Sequence, residues 1–255
     1  MRKLYLAWQD PTSRCWHPIG RLTFDGKIYR FVYTKGACEA QSKCNFQPLV
    51  SFPDLNKIYE GEDLFPSFSN RVLSPSRPDF GDFVQWLNIP EDKDDPFALL
   101  ARSGGRRATD TLEVFPCPEP DENGQYHIHF FVHGLQYLPP PSQERVSRLK
   151  PGEVLLMAYD FQNPYDNLAL MLRTNDASPG DRYIVGYCPR YLKMDMLTIL
   201  NSCSVQPKVL VERVNLPPAP FKFRLLCNMT GCWPCDFQPF LDKAYQPIKE
   251  DVLVG

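Results

Sequence analysis

Hydrophobic positions in this chain fall into short alternating stretches, with few helical repeats between them. Leu4, Leu6 and Trp8 alternate with Tyr5 and Ala7, the pattern of a half-buried strand. Gly20 to Phe24 and Lys27 to Tyr33 flank Asp25-Gly26, which predicts a hairpin with a two-residue turn, both turn residues at positive φ. From Gln47 to Asn70 prolines and aromatics follow no clean period. Phe80, Phe83, Val84 and Leu87 then recur at helical spacing behind a capping Asp79. A second helix is predicted from Asp95-Pro96 to Gly104-Gly105, and Thr111 to Phe115 returns to strand.

Pro116 to Gly124 is rich in Pro, Asp, Glu, Asn and Gly and reads as a linker. Beyond it strand patterns recur at Tyr126–Leu135, Glu153–Tyr159, Ala169–Thr174, Tyr183–Tyr187, Lys208–Asn215 and Phe221–Met229. Pro189 to Asn201 is helical, with Leu192, Met196, Ile199 and Leu200 on one side. The fold class expected is mainly β with a few helices (α+β), in two modules, the second a small OB-like β-barrel. The boundaries are 1–118 for the first module, 119–124 for the linker, 125–230 for the second module and 231–255 for a C-terminal tail.

Composition agrees with many short strands and rigid turns. Aromatics reach 13%, and 26 prolines outnumber 14 glycines in 255 residues. Apolar residues at 43% and charged residues at 23% argue for globular structure over disorder. The net charge of −2 excludes a globally basic nucleic-acid binder. Residues 1–124 carry 15 basic and 18 acidic side chains, whereas 125–225 carry 11 and 8, so the second half alone permits a nucleic-acid face. No apolar run is long enough to span a membrane, and the polar start is unlike a signal peptide. The expectation is a cytoplasmic protein.

Nine cysteines without an export signal read as free thiols. Cys227, Cys232 and Cys235 cluster, and Cys232-Trp233-Pro234-Cys235 has the spacing of half a zinc site. No second CxxC accompanies it, and Cys38 and Cys44 are spaced wider than usual zinc ligands. Zinc therefore stands as an alternative to ordinary turn cysteines, and no other cofactor is expected.

The second half resembles the HIRAN domain. The motifs are Val132-His133-Gly134-Leu135-Gln136-Tyr137, then Asn163-Pro164-Tyr165-Asp166, then Val185-Gly186-Tyr187-Cys188-Pro189-Arg190. The resemblance implies an OB-like barrel whose pocket captures the 3′-hydroxyl end of single-stranded DNA. It places the nucleic-acid-binding residues at Gln136, Tyr137, Asn163, Tyr165, Asp166 and Arg190. In that pocket a carboxylate at Asp166 accepts a hydrogen bond from a free 3′-hydroxyl and repels a 3′-phosphate. Tyr137 and Tyr165 stack on bases. Gln136 stands where the family carries Arg, and Leu168 where it often carries Asn.

The first half resembles the N-terminal subdomain of HipA-type toxin kinases. The parallels are Ile19–Phe24 with Tyr29–Tyr33, Pro48–Ser51, Leu64–Leu73 and Asp95–Leu100. The resemblance implies a module that docks a protein, a HipA-like kinase, a helicase or a nuclease being the candidate partners. Tyr29, Phe31 and Tyr33 alternate on one strand and are the expected docking patch.

No Walker A loop, GxSxG elbow or GxGxxG fingerprint occurs. Arg102 to Arg107 has the glycines and cations of a phosphate cradle, but a helix C-terminus with Gly at the cap and arginines favoured by the dipole accounts for them more simply. His127, His129 and His133 share a face if one strand carries all three. The first and last then lie about 20 Å apart, too far for one metal. Glu91, Asp92, Asp94 and Asp95 read as a solvated turn with Asp95 as a cap. The reading is a non-enzymatic nucleic-acid-binding adaptor. Two alternatives are an antitoxin-like regulatory subunit of a HipA-type kinase and a zinc-binding accessory module of a DNA-processing hydrolase.

Overall fold

The alternating segments near the N-terminus pair as antiparallel neighbours in a computed structural model, which describes residues 2–90, 94–202, 207–234 and 237–249. Among these residues are eleven strands in two antiparallel sheets and six α-helices, so the α+β, mainly β class holds. The chain divides into two units. One comprises the described residues within Met1–Gln85, Ile89–Cys117 and Phe240–Gly255, the other those within Trp86–Asn88 and Pro118–Pro239.

The first unit holds β1 (Arg2–Gln9), β2 (Trp16–Phe24), β3 (Tyr29–Tyr33), β4 (Tyr59–Gly61) and β5 (Leu112–Pro116) in the order β4-β3-β2-β1-β5. Helices α1 (Lys35–Cys44), α2 (Pro66–Ser69) and α4 (Pro96–Ser103) punctuate it, as does α3 (Phe80–Leu87) up to Gln85. Asp95 caps α4 by accepting from the backbone N–H groups of Phe97 and Ala98, and Gly104 ends it. Asp79, expected to cap α3, instead pairs with Arg77 at 2.9 Å. The hairpin also differs from expectation. Phe24 pairs with Tyr29, leaving a four-residue loop in which Gly26 alone takes positive φ. Asp25 Oδ1 accepts from both Lys27 and Ile28 N–H and so replaces the tighter turn.

The expected docking patch is overturned. Phe31 and Tyr33 are fully buried, and Tyr29 is half-buried against Phe24, their rings 4.2 Å apart. Phe31 stacks on Phe52 at 4.3 Å, and the Tyr33 hydroxyl donates to the Phe52 carbonyl at 2.7 Å. The face of β3 that was to meet a partner is occupied by the chain's own 46–68 segment, so these aromatics form the core. Residues 240–249 also belong to this unit: Ile248 N–H donates to the Tyr33 carbonyl, and Phe240 and Tyr245 pack around Tyr5.

The second unit holds β6 (Gln125–Phe131), β7 (Val154–Asp160), β8 (Ala169–Thr174), β9 (Ile184–Tyr187), β10 (Lys208–Val214) and β11 (Leu225–Cys232). Their order is β6-β11-β10-β7-β8-β9, with α5 (Pro140–Ser147) and α6 (Lys193–Ser202) outside the sheet. β11 thus runs past the boundary expected at 230. Its start is shorter than expected, because Phe221–Phe223 forms a 3₁₀ turn. Among the described residues no ladder closes the sheet into a barrel. Its two end segments meet where His133 and Tyr187 exchange two backbone hydrogen bonds, at 2.9 and 3.0 Å. His133 therefore lies beyond β6 and does not extend its stripe. Leu172, Val185, Leu192, Met196 and Ile199 fill the core beneath.

Gly186 makes that closing contact possible. Its φ is +128°, and a Cβ there would lie 2.4 Å from Val132 Cγ1 and 2.6 Å from the His133 carbonyl. Gly186→Ala is therefore expected to cost about 2–4 kcal/mol in stability, read as a lowered urea midpoint at unchanged slope.

Candidate nucleic-acid interface

The Asn-Pro-Tyr-Asp segment lies on the turn that joins β7 to β8, and its own side chains fix its shape. Asn163 Oδ1 accepts from the N–H groups of Tyr165 at 3.0 Å and Asp166 at 3.2 Å. Asp166 Oδ1 accepts from Leu168 N–H at 3.1 Å, and the Asp166 carbonyl accepts from Ala169 N–H at 2.9 Å. Such side-chain-to-backbone bonds satisfy a loop that has no ladder. The turn's first residue is held as well. Asp160 Oδ2 accepts from the Tyr187 hydroxyl at 2.9 Å, and burial together with that bond raises the Tyr187 pKa, keeping the phenol protonated.

Asp166 is the charged centre of this corner. Its side chain is only 7% exposed, and Lys193 Nζ donates to both of its oxygens at 3.0 Å. Arg190 Nε lies 3.8 Å from Oδ2. Lys193 is positioned by its own backbone: its carbonyl accepts from the Tyr159 hydroxyl at 3.0 Å. Burial pushes that phenol up to about 12, so it too remains a donor. An ionised carboxylate offers about four lone-pair sites, of which Lys193 takes one on each oxygen and Leu168 N–H one more on Oδ1. One site on Oδ2 is left for a further donor, and Arg190 is near enough to compete for it.

Aromatic rings stand out from this frame. Tyr165 is 84% exposed, Tyr137 82% and Phe161 71%. Tyr137 ends a 3₁₀ turn, Leu135–Tyr137, that follows Gly134, and the Gly134 backbone lies against the Tyr187 ring. Tyr165 lies on the β7–β8 turn, and Phe161 stacks on Tyr159 at 5.9 Å. The structure thus brings Asn163, Asp166 and Arg190 into one connected set. Tyr137 stands three residues after Gly134, which lies against the Tyr187 ring, and Gln136 is exposed beside it.

Sequence reasoning missed Lys193, Asp160 and Tyr187 as members of the site. Lys193 lies 27 residues from Asp166, beyond any local pattern. Its spacing of three from Arg190 is the one usable signal, since helical neighbours at that spacing share a side.

No family model matches the chain, and no curated protein matches it. Two solved structures resemble it. One is a protein from Lactobacillus plantarum, with a TM-score of 0.32 and 18% identity over 42% of this chain and 96% of that one. The other is the HIRAN domain of human HLTF, with a TM-score of 0.30 and 19% identity over 43% of this chain and 80% of that one.

The remaining candidates are dispersed. His127 pairs with Asp121 at 3.3 Å and His129 with Glu212 at 2.5 Å. Cys227 is buried, and burial pushes its thiol well up, whereas Cys232 is exposed with Sγ 3.8 Å from the Gly124 carbonyl. Cys235, Glu91 and Asp92 lie outside the described residues. Among the described residues no three His, Cys, Asp or Glu side chains gather as a metal site. No helix among them is long and apolar enough to cross a membrane.

Proposed function

We propose that the second unit binds single-stranded nucleic acid at this corner, and that its preferred ligand is DNA with a free 3′ end. The observation that carries the reading is a pair of exposed tyrosines in the second unit: Tyr165, next in the chain to the Asp166 that Lys193 and Arg190 face, and Tyr137 on the turn after Gly134. Exposed rings of this kind contribute little to the fold and offer π-faces on which bases stack. The two cations supply what a phosphate backbone needs, although Asp166 already takes part of their charge. The Asn-Pro-Tyr-Asp motif and its resemblance to the HIRAN domain add the finer point. The remaining acceptor site on Asp166 Oδ2 suits one hydroxyl donor and no phosphate.

Fluorescence polarisation with labelled single strands ending in 3′-hydroxyl or 3′-phosphate tests this. The hydroxyl strand is expected to bind more tightly, with affinity rising as salt falls. Absence of binding to either strand at low salt would reject the nucleic-acid reading. Equal binding of both would reject end recognition alone.

A further inference from the structure

A concavity of about 290 Å³ lies wholly within the first unit. Four stretches far apart in sequence line it: Leu6 of β1, Leu49 to Ser51, α2 with the turn after it, and Arg107 with Leu112. Arg71 is the strut between them. Its side chain is buried; its fork binds both Asp110 oxygens, its Nε donates to the Ser67 carbonyl at 3.0 Å, and its Nη1 to the Gly105 carbonyl at 3.0 Å. With its charge matched by Asp110, Arg71 holds the walls and has little left for a ligand. Arg107 is different: it is exposed at the cleft and makes no hydrogen bond or ion pair among the described residues. Ser67 Oγ donates to Ser51 Oγ at 2.7 Å, which leaves the Ser51 hydroxyl proton for another acceptor.

We infer that this cleft captures the C-terminal carboxylate and last apolar side chain of a partner polypeptide. One uncompensated guanidinium with a hydroxyl donor beside it matches a single negative charge, and a carboxylate fills an arginine fork in plane. A phosphate dianion needs more positive charge than Arg107 alone provides. Leu6, Leu49, Pro66, Phe68 and Leu112 supply the apolar part of the lining, and Asn70 is its one uncharged amide. The volume falls just below the about 300–1,000 Å³ of ordinary small-molecule sites, room for a terminal residue but little more. Val50, also on the lining, is 98% exposed. A chain leaving the cleft covers that side chain, whereas a small free acid leaves it in water.

The test uses the full chain and a fluorescein-labelled peptide, Gly-Ser-Gly-Ser-Ala-Leu, with a free or an amidated C-terminus. N-acetyl-leucine serves as a competitor. The free-acid peptide is expected to bind at least about tenfold more tightly than the amide. Arg107→Gln should bring it down to the amide's level, and Val50→Ser should weaken both peptides without changing the affinity of N-acetyl-leucine. Both residues are exposed, so thermal midpoints should not move. Equal binding of acid and amide, no effect of Arg107→Gln, or no binding at millimolar peptide each overturns the proposal. N-acetyl-leucine binding as tightly as the peptide, with Val50→Ser silent, overturns the polypeptide ligand in favour of a free acid. Oligonucleotide affinity should be unchanged in both variants, so the two sites stand or fall separately.

Discussion

Tyr33→Glu is expected to unfold the first unit. The Tyr33 ring is fully buried among Phe31, Phe52 and Phe46, and burial pushes its phenol well above the ordinary value. The hydroxyl is a structural junction: it donates to the Phe52 carbonyl at 2.7 Å and accepts from Leu49 N–H at 2.8 Å. A glutamate there either buries an unpaired carboxylate, at a cost of several kcal/mol, or drags β3 out of the core. A domain stable by about 5–15 kcal/mol does not readily survive that. Tyr33→Phe keeps the ring and loses only the two hydrogen bonds, for an expected cost of about 1–3 kcal/mol. Amide spectra should show loss of dispersion for β1–β5 in the first variant and native dispersion in the second, with its chemical-denaturation midpoint lowered. A native spectrum from Tyr33→Glu would return this face of β3 to the surface.

The same residue shows where the sequence was legible and where it was not. Sequence patterns located β1, β3, β7, β8 and β10 within a residue or two; in β8 and the start of β10 burial alternates with period two, whereas Leu4 to Ala7 of β1 and Phe31 to Tyr33 of β3 are buried on both faces. Alternation cannot say which face meets the chain's own core and which meets solvent or a partner. The segment that covers Phe31 and Tyr33 is the aperiodic stretch from Gln47 to Asn70, whose Phe52 and Phe68 are both buried without belonging to any strand. Two helices escaped for a related reason. The buried residues of α1 are Gly36, Ala37 and Ala40, and those of α5 are Ser142 and Val146, so neither presents a large apolar stripe. At Gly36 the small size is needed, since a Cβ would lie 2.1 Å from the Pro18 carbonyl.

The candidate interface was half legible. Its turn chemistry is local, and Asn163 and Asp166 act on backbone groups two and three residues away, within reach of motif reading. Its electrostatics are not local. The carboxylate at Asp166 looks available from the motif alone, yet Lys193 occupies both oxygens from the start of α6. Only the packing of α6 against the β7–β8 turn creates that pair, and with it the question of what Asp166 does.

Substitutions at this corner separate base stacking, end recognition and charge. Tyr137→Ala and Tyr165→Ala are each expected to weaken single-strand binding by about 1–3 kcal/mol, or about 5- to 150-fold, whatever the terminal group. Together they should lose at least about 30-fold, and because both side chains are exposed, thermal stability should stay put. Asp166→Asn keeps the shape and can still accept from Leu168 N–H, but it removes the charged acceptor. Strands ending in 3′-hydroxyl should then bind about 10- to 150-fold more weakly, and the preference over 3′-phosphate should narrow. Lys193→Gln removes one of the two cations that the proposed interface offers to phosphate, so it should weaken both strands alike and lower the salt slope by about one. If Asp166 acted only by anchoring Lys193, Asp166→Asn would reproduce the Lys193→Gln pattern, with both strands weakened equally. A selective loss for the 3′-hydroxyl strand assigns the carboxylate to the strand end itself.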